Sequence, residues 1–124
     1  MVFWLAARPA RVSSRARRLI AKESAKNGLA VASVTLMELA SLMARGDIRS
    51  SRTPTAWLRQ LIAETGLHVR EIDAEVAAVA AHLPPSFPAD PFDRLIAATA
   101  IVDRLPLVSA DSRIQESGVV RTIW

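Results

Sequence analysis

Three acidic residues stand where predicted strands end or predicted helices begin: Glu38, Asp93 and Asp111. Glu38 and Asp93 each fall in the first turn of a helix, and Asp111 ends a strand. In open α/β sheets, ligands bind outside the carboxyl ends of the strands. We therefore expect the three carboxylates to gather at one edge of a sheet, where they repel one another unless a cation lies among them.

A cation held by carboxylate oxygens would be a hard divalent ion, Mg²⁺ or Mn²⁺. Such an ion can activate water and assist an in-line attack on a phosphodiester. Each acid also has a structural alternative. Glu38 completes a capping box that opens at Thr35. Asp93 follows the predicted N-cap Asp90, where an acid suits the helix dipole, and Asp111 could cap the next helical turn.

The elements that must position these acids alternate between strands and helices. Strands are predicted at residues 29–34, 67–72, 107–111 and 119–123, which indicates an α/β fold with a parallel sheet of about four strands, covered on both faces. Helices are predicted to open at four caps and at one of two adjacent serines: Thr35, Thr53, Asp73 and Asp90, and Ser13 or Ser14. Residues 1–5 read as the ragged end of a strand or as a helical turn. The chain is expected to be one domain over residues 1–124.

Composition and charge exclude several classes of function and of functional site. The 124 residues include no cysteine, which excludes disulfides, thiolate metal sites and cysteine nucleophiles and suits a reducing cytoplasm. We see neither a signal peptide nor a membrane helix in the first residues. The net charge of +4 is uneven. The spacing of Arg11, Arg15, Arg18 and Lys22 places them on one stripe of the first helix, which would attract RNA or remain a solvated face.

Residues 31–39, 90–100 and 107–111 together resemble the PIN domain, specifically the VapC-type toxins of bacterial toxin–antitoxin pairs. The resemblance implies a three-layer α/β/α fold, a Mg²⁺- or Mn²⁺-dependent ribonuclease, an antitoxin partner and a homodimer. It assigns the family's second, third and fourth acids, as metal ligands and catalytic residues, to Glu38, Asp93 and Asp111. It also assigns the neighbours of the site to Asp90, Thr35 and Ser109. RNA phosphates would be contacted by Arg94 or by the basic first helix, through Arg11, Arg15 and Arg18.

One departure from the family concerns the start of the chain. The family opens with a strand that ends in an Asp, followed by a helix with a Trp-Leu pair. Trp4-Leu5 matches that pair, but only Met1-Val2-Phe3 precedes it. We therefore expect either that the start is assigned too late or that the chain is a shortened copy, with its first strand missing or vestigial and its activity impaired. The alternatives are a non-catalytic PIN module that binds an antitoxin or itself, and an unrelated small α/β domain in which all three acids are caps.

Overall fold

The computed structural model describes residues 3–4, 13–26 and 28–124. Five short strands in this part of the chain form one sheet, and every pairing between them is parallel. The strands are β1 (Phe3–Trp4), β2 (Ala30–Ala32), β3 (His68–Arg70), β4 (Leu107–Val108) and β5 (Thr122–Ile123). Their order across the sheet is β3-β2-β1-β4-β5. All carboxyl ends of the strands therefore lie at the same edge.

Helices connect the strands and cover the sheet. They are α1 (Ser14–Lys26), α2 (Val34–Ala44), α3 (Pro54–Thr65), α4 (Ala74–Ala81), α5 (Pro91–Val102) and α6 (Ser112–Ser117). Leu107 of β4 packs with Ile96 and Ala100 of α5, whereas the next residue, Val108, packs with Ala16 of α1. Because successive strand residues point to opposite faces, α5 and α1 lie on opposite sides of the sheet. This is the three-layer α/β/α arrangement expected from the sequence. In the described residues, no helix is long and apolar enough to cross a membrane.

The predicted caps open most of the helices. Thr53 and Asp73 accept hydrogen bonds from the N–H groups of Ala56 and Val76, at the starts of α3 and α4. Ser13 accepts one from Ala16 at the start of α1. Each bond satisfies an amide that the first helical turn leaves without a partner. The α/β alternation is therefore fixed locally by the residue types predicted to fix it.

Two predictions about the elements need correction. The predicted count of four strands omits β1, a two-residue strand that lies in the centre of the sheet and pairs with both β2 and β4. Such a short strand agrees with the vestigial alternative, but Trp4 lies in it and not in a following helix. The predicted cap Thr35 is also wrong, because α2 already begins at Val34 and Thr35 is fully buried within its first turn.

Candidate active site

The sheet topology brings the acids together at the carboxyl edge. Glu38 lies one turn into α2, which follows β2, and Asp111 follows β4. Helix α5 runs back toward the amino ends of the strands, so its first residues also start at the carboxyl edge. Asp90 is its N-cap and Asp93 lies in its first turn. Strands β2 and β4 are both neighbours of β1, so these acids face the centre of the sheet edge.

Burial and mutual repulsion perturb two of the four carboxyl groups. Burial, followed by the charges of Asp93 and Asp90, raises the pKa of Glu38 to about 7. Burial, followed by the charges of Asp90 and Asp111, raises the pKa of Asp93 to about 6, against a smaller opposite effect of Arg113. In the described part of the chain, neither carboxylate has a hydrogen-bond donor. We name Glu38 and Asp93 the acid pair, because they share this unfavourable environment.

The other two acids use their oxygens to hold the backbone. Asp90 accepts hydrogen bonds from the N–H groups of Phe92 and Asp93, at 2.8 and 3.1 Å. Asp111 accepts one from the N–H of Arg113 at 2.9 Å, and its Oδ2 lies 2.9 Å from the Arg113 Nη2. The side-chain hydrogen bond from Arg113 is the main reason that the pKa of Asp111 lies below its usual range. The cap interpretation is therefore confirmed for Asp90 and Asp111.

The cap interpretation of Glu38 is wrong. Thr35 is not the N-cap of α2, so the capping box that Glu38 was to complete does not form. The Thr35 hydroxyl is buried and has no hydrogen-bond partner among the described residues. Glu38 therefore has no capping role, which was the main structural alternative to a role as a metal ligand.

Ser109 and Arg94, two further predicted site residues, have different surroundings in the structure. Ser109 is fully buried, and its Oγ accepts the N–H of Asp111 at 3.1 Å, so it positions that acid. The Arg94 guanidinium points toward the end of α4 and donates to the carbonyls of Ala80 and Leu83, at 3.2 and 3.4 Å. Its predicted contact with RNA stays a prediction.

The basic stripe of the first helix is seen only in part. Arg15, Arg18 and Lys22 are exposed on α1, while Ala16 on another face of the same helix is fully buried. Arg11 lies outside the described residues. The described part of the stripe is therefore open to an anionic partner, as its spacing predicts, and the identity of that partner stays a prediction.

The donor chemistry of the acid pair fits a hard divalent cation. Two half-buried carboxylates that accept no hydrogen bond from the described residues gain from a positive charge, and oxygen ligands of this kind suit Mg²⁺ or Mn²⁺. Within residues 13–26 and 28–124, no three acidic or histidine side chains stand in a grouping that would hold an ion as they are placed. The charge of Asp111 acts on Asp93, yet its carboxylate is directed to Arg113. Completing a cage of three acids would therefore need Asp111 to leave Arg113.

Sequence reasoning missed two features of the structure. Arg113 is one, although an arginine two residues after a capping Asp is a detectable signal for an ion pair. The other is an apolar groove of about 460 Å³ between α1, α2 and α3, lined mainly by leucines and by Ile20 and Trp57. The buried Thr35 also lines this groove.

Comparison with known proteins agrees with this architecture. The family model for the PIN domain matches residues 2–119. Ribonuclease VapC22 of Mycobacterium tuberculosis is 42% identical over 128 residues, which cover 100% of this chain and 93% of that protein.

Solved structures share the fold at lower sequence identity. VapBC2 of Rickettsia felis bound to a promoter DNA fragment has a TM-score of 0.70 at 15% identity and covers 99% of this chain and 98% of that one. FitAcB of Neisseria gonorrhoeae has a TM-score of 0.68 at 19% identity, and a toxin–antitoxin complex of Klebsiella pneumoniae has 0.66 at 17%. Both cover 100% of this chain and 97% of the matched chain. With nearly its whole length matched by the family model, this chain belongs to the PIN domain family.

Proposed function

We propose that this chain is a divalent-metal-dependent endoribonuclease and the toxin of a VapBC-type toxin–antitoxin pair. The acid pair carries the proposal, because Glu38 and Asp93 are half-buried and accept no hydrogen bond in the described part of the chain, and the charge of Asp93 raises the pKa of Glu38. The name of the Mycobacterium tuberculosis relative supports ribonuclease activity at an identity of 42%. Catalytic roles are proposed for Glu38, Asp93 and Asp111.

The residues at the acid edge would either hold the cation or position the backbone around it. Glu38 and Asp93 would hold the cation, and Asp111 would join them when its carboxylate turns from Arg113. Asp90 and Ser109 fix the backbone from which Asp93 and Asp111 project. A bound Mg²⁺ or Mn²⁺ supplies a lowered pKa for water and positive charge for the phosphodiester.

Metal-dependent cleavage of RNA tests the proposal. Purified protein should cut single-stranded RNA with Mg²⁺ or Mn²⁺ and not with EDTA. Asp93→Asn and Glu38→Gln should each reduce the rate on the order of 100-fold, since each removes charge that holds the cation. Glu75→Gln is the matched control, because Glu75 is an exposed acid in the first turn of α4. Cleavage that persists in EDTA, or that survives Asp93→Asn unchanged, contradicts the proposal.

A non-catalytic PIN module is the second candidate, and one observation favours it. The Asp111 carboxylate is already engaged with Arg113. This candidate predicts no metal-dependent cleavage. The intermediate case, an impaired enzyme, predicts slow cleavage that still requires Mg²⁺ or Mn²⁺.

An antitoxin partner is proposed from the similar structures, two of which are described as a VapBC pair and as a toxin–antitoxin complex. The apolar groove between α1, α2 and α3 has the chemistry that receives an amphipathic helix. Co-purification with the product of a small neighbouring reading frame is the direct measurement. The homodimer and the cytoplasmic location stay predictions.

A further inference from the structure

A second concavity lies directly beside the acid edge. It is an open concavity of about 460 Å³ between the loop of residues 85–89 and the α6 residues Arg113, Glu116 and Ser117. The loop leads into Asp90, and Arg113 pairs with Asp111, so the two acidic caps border this concavity on the side of the acid pair. Its volume is within the range of about 300–1,000 Å³ that is typical of small-ligand sites. We name this concavity the loop pocket.

The loop wall of the pocket is held in place before any ligand binds. Phe87 is 2% exposed and packs in the core with α5 and β4, and its N–H donates to the Pro84 carbonyl at 3.0 Å, which closes a turn. Proline at residues 85 and 88 fixes the backbone on either side of that anchor. A wall that is ordered in advance loses little conformational entropy on binding, which favours a ligand site over a passive surface depression.

Two opposite charges with unused hydrogen-bonding capacity face the pocket from α6. The Nε and Nη2 of Arg113 donate to Asp111, which leaves the Nη1 unpaired in the described part of the chain. The Arg113 side chain is 69% exposed, against 20% for the Asp111 side chain. Within those same residues, the exposed Glu116 carboxylate has no donor. The pocket thus offers a fixed cation close to the acid edge and an acceptor one helical turn away.

We propose that the loop pocket binds the RNA nucleotide next to the phosphodiester at the acid pair, and that it selects the base. Arg113 would bind the phosphate of that nucleotide through its Nη1, and through the whole guanidinium once Asp111 turns to the cation, because guanidinium groups pair with phosphate oxygens. Glu116 would accept hydrogen bonds from the Watson–Crick edge of the base, the edge that proteins read in single strands. Guanine fits best, because it presents two adjacent N–H donors to a carboxylate, whereas uracil presents one. This inference rests on the proposed ribonuclease function.

Binding of short RNA in EDTA tests the pocket without requiring cleavage. The probes are two fluorescent tetranucleotides of mixed sequence, one with guanosine and the other with uridine at the tested position. Their binding is measured by fluorescence anisotropy. Wild type should prefer the guanosine probe roughly tenfold, and Glu116→Gln should remove that preference because one acceptor oxygen becomes a donor. Arg113→Ala should weaken both probes equally and flatten the slope of log affinity against log salt by about 0.7. Glu64→Gln and Arg121→Ala are matched controls, because both exposed residues lie toward the opposite, amino edge of the sheet.

The outcomes separate the pocket from the nuclease. The proposal that the loop pocket selects a base is wrong if wild type binds the two probes equally. It is also wrong if the Arg113 and Glu116 variants bind as their control variants do. If Arg113→Ala unfolds, Arg113→Lys should retain the salt slope, and a slope that falls with the charge retained contradicts the assignment of Arg113. The expected binding pattern in a protein that cuts no RNA with Mg²⁺ or Mn²⁺ supports the pocket while overturning the proposed function.

Discussion

Asp93→Asn should make the protein more stable at pH 8 when no divalent cation is present. Asp93 lies beside Asp90 and Asp111 and is half-buried, so its ionised form is unfavourable in the folded state. Asparagine has nearly the same shape and carries no charge. The substitution also removes the largest charge that raises the pKa of Glu38. The variant should therefore relieve repulsion on both members of the acid pair.

The magnitude follows from the pKa of Asp93, which is about 6 in place of the ordinary 3.8. At about 1.4 kcal/mol per pKa unit, ionised Asp93 lowers the free energy of unfolding by about 3 kcal/mol, and solvent screening of a half-buried group reduces that loss to between about 1 and 2 kcal/mol. An acid near a helix N-terminus gains about 0.5 kcal/mol from the dipole, which asparagine gives up. The net gain is about 1 kcal/mol, or about 4 °C in the midpoint of thermal unfolding.

The pH dependence has a definite sign. Because the folded-state pKa is raised, the folded protein holds a proton that the unfolded chain releases, and wild-type stability falls as pH increases. For Asp93 the loss begins near pH 3.8 and is complete above about pH 6; for Glu38 it runs from about 4.5 to about 7. Thermal melts at pH 4 and pH 8 should therefore show a smaller difference between wild type and Asp93→Asn at pH 4.

A matched control and a metal titration complete the assay. Glu75→Gln removes an exposed acid from the first turn of α4 and should lose only the small dipole contribution. Millimolar Mn²⁺ should raise the melting midpoint of wild type and not of Asp93→Asn, because a ligand stabilises the state that binds it. If Asp93→Asn melts at or below the wild-type temperature at pH 8 in EDTA, the carboxylates do not repel one another as described.

Three further outcomes follow from the described contacts. Thr35→Val should stabilise the protein by about 1–2 kcal/mol in chemical denaturation, because it removes a buried hydroxyl that has no partner among the described residues. Phe87→Ala should destabilise it by about 3 kcal/mol in the same assay, because Phe87 is 2% exposed in the core that anchors the loop pocket. Mn²⁺ binding near pH 6.5 should release up to about one proton, measured by calorimetry in buffers of different ionisation enthalpy, since Glu38 with a pKa of about 7 must deprotonate to bind metal.

Local signals in the sequence were sufficient for most elements. The pairs Thr53-Pro54 and Asp90-Pro91 each combine a side-chain acceptor with a proline that needs no N–H partner, and both open helices as predicted. Strand β1 could not be predicted in this way, because two residues carry no periodicity. Its pairing with β2 and β4 is a non-local interaction that only the assembled sheet provides.

The candidate site was predictable in outline and not in detail. Placing acids after strand ends predicted that residues as distant in sequence as Glu38 and Asp93 would meet. The choice between cap and ligand was not predictable, because Ser33, Thr35 and their neighbours offer several starts for α2, and burial of Thr35 decided among them. Arg113 was overlooked for a similar reason: its role depends on which way the Asp111 carboxylate turns.

The four acids at this edge experience opposite environments, and that difference explains how one small fold can keep them together. Asp90 and Asp111 accept hydrogen bonds from helix N–H groups, and Asp111 also pairs with Arg113. Glu38 and Asp93 receive no such bonds in the described chain and have raised pKa values. If all four were capped, none would need a cation, and if none were capped, repulsion would open the edge. Asp90 and Asp111 therefore position the helices, and the acid pair keeps its oxygens available for a ligand.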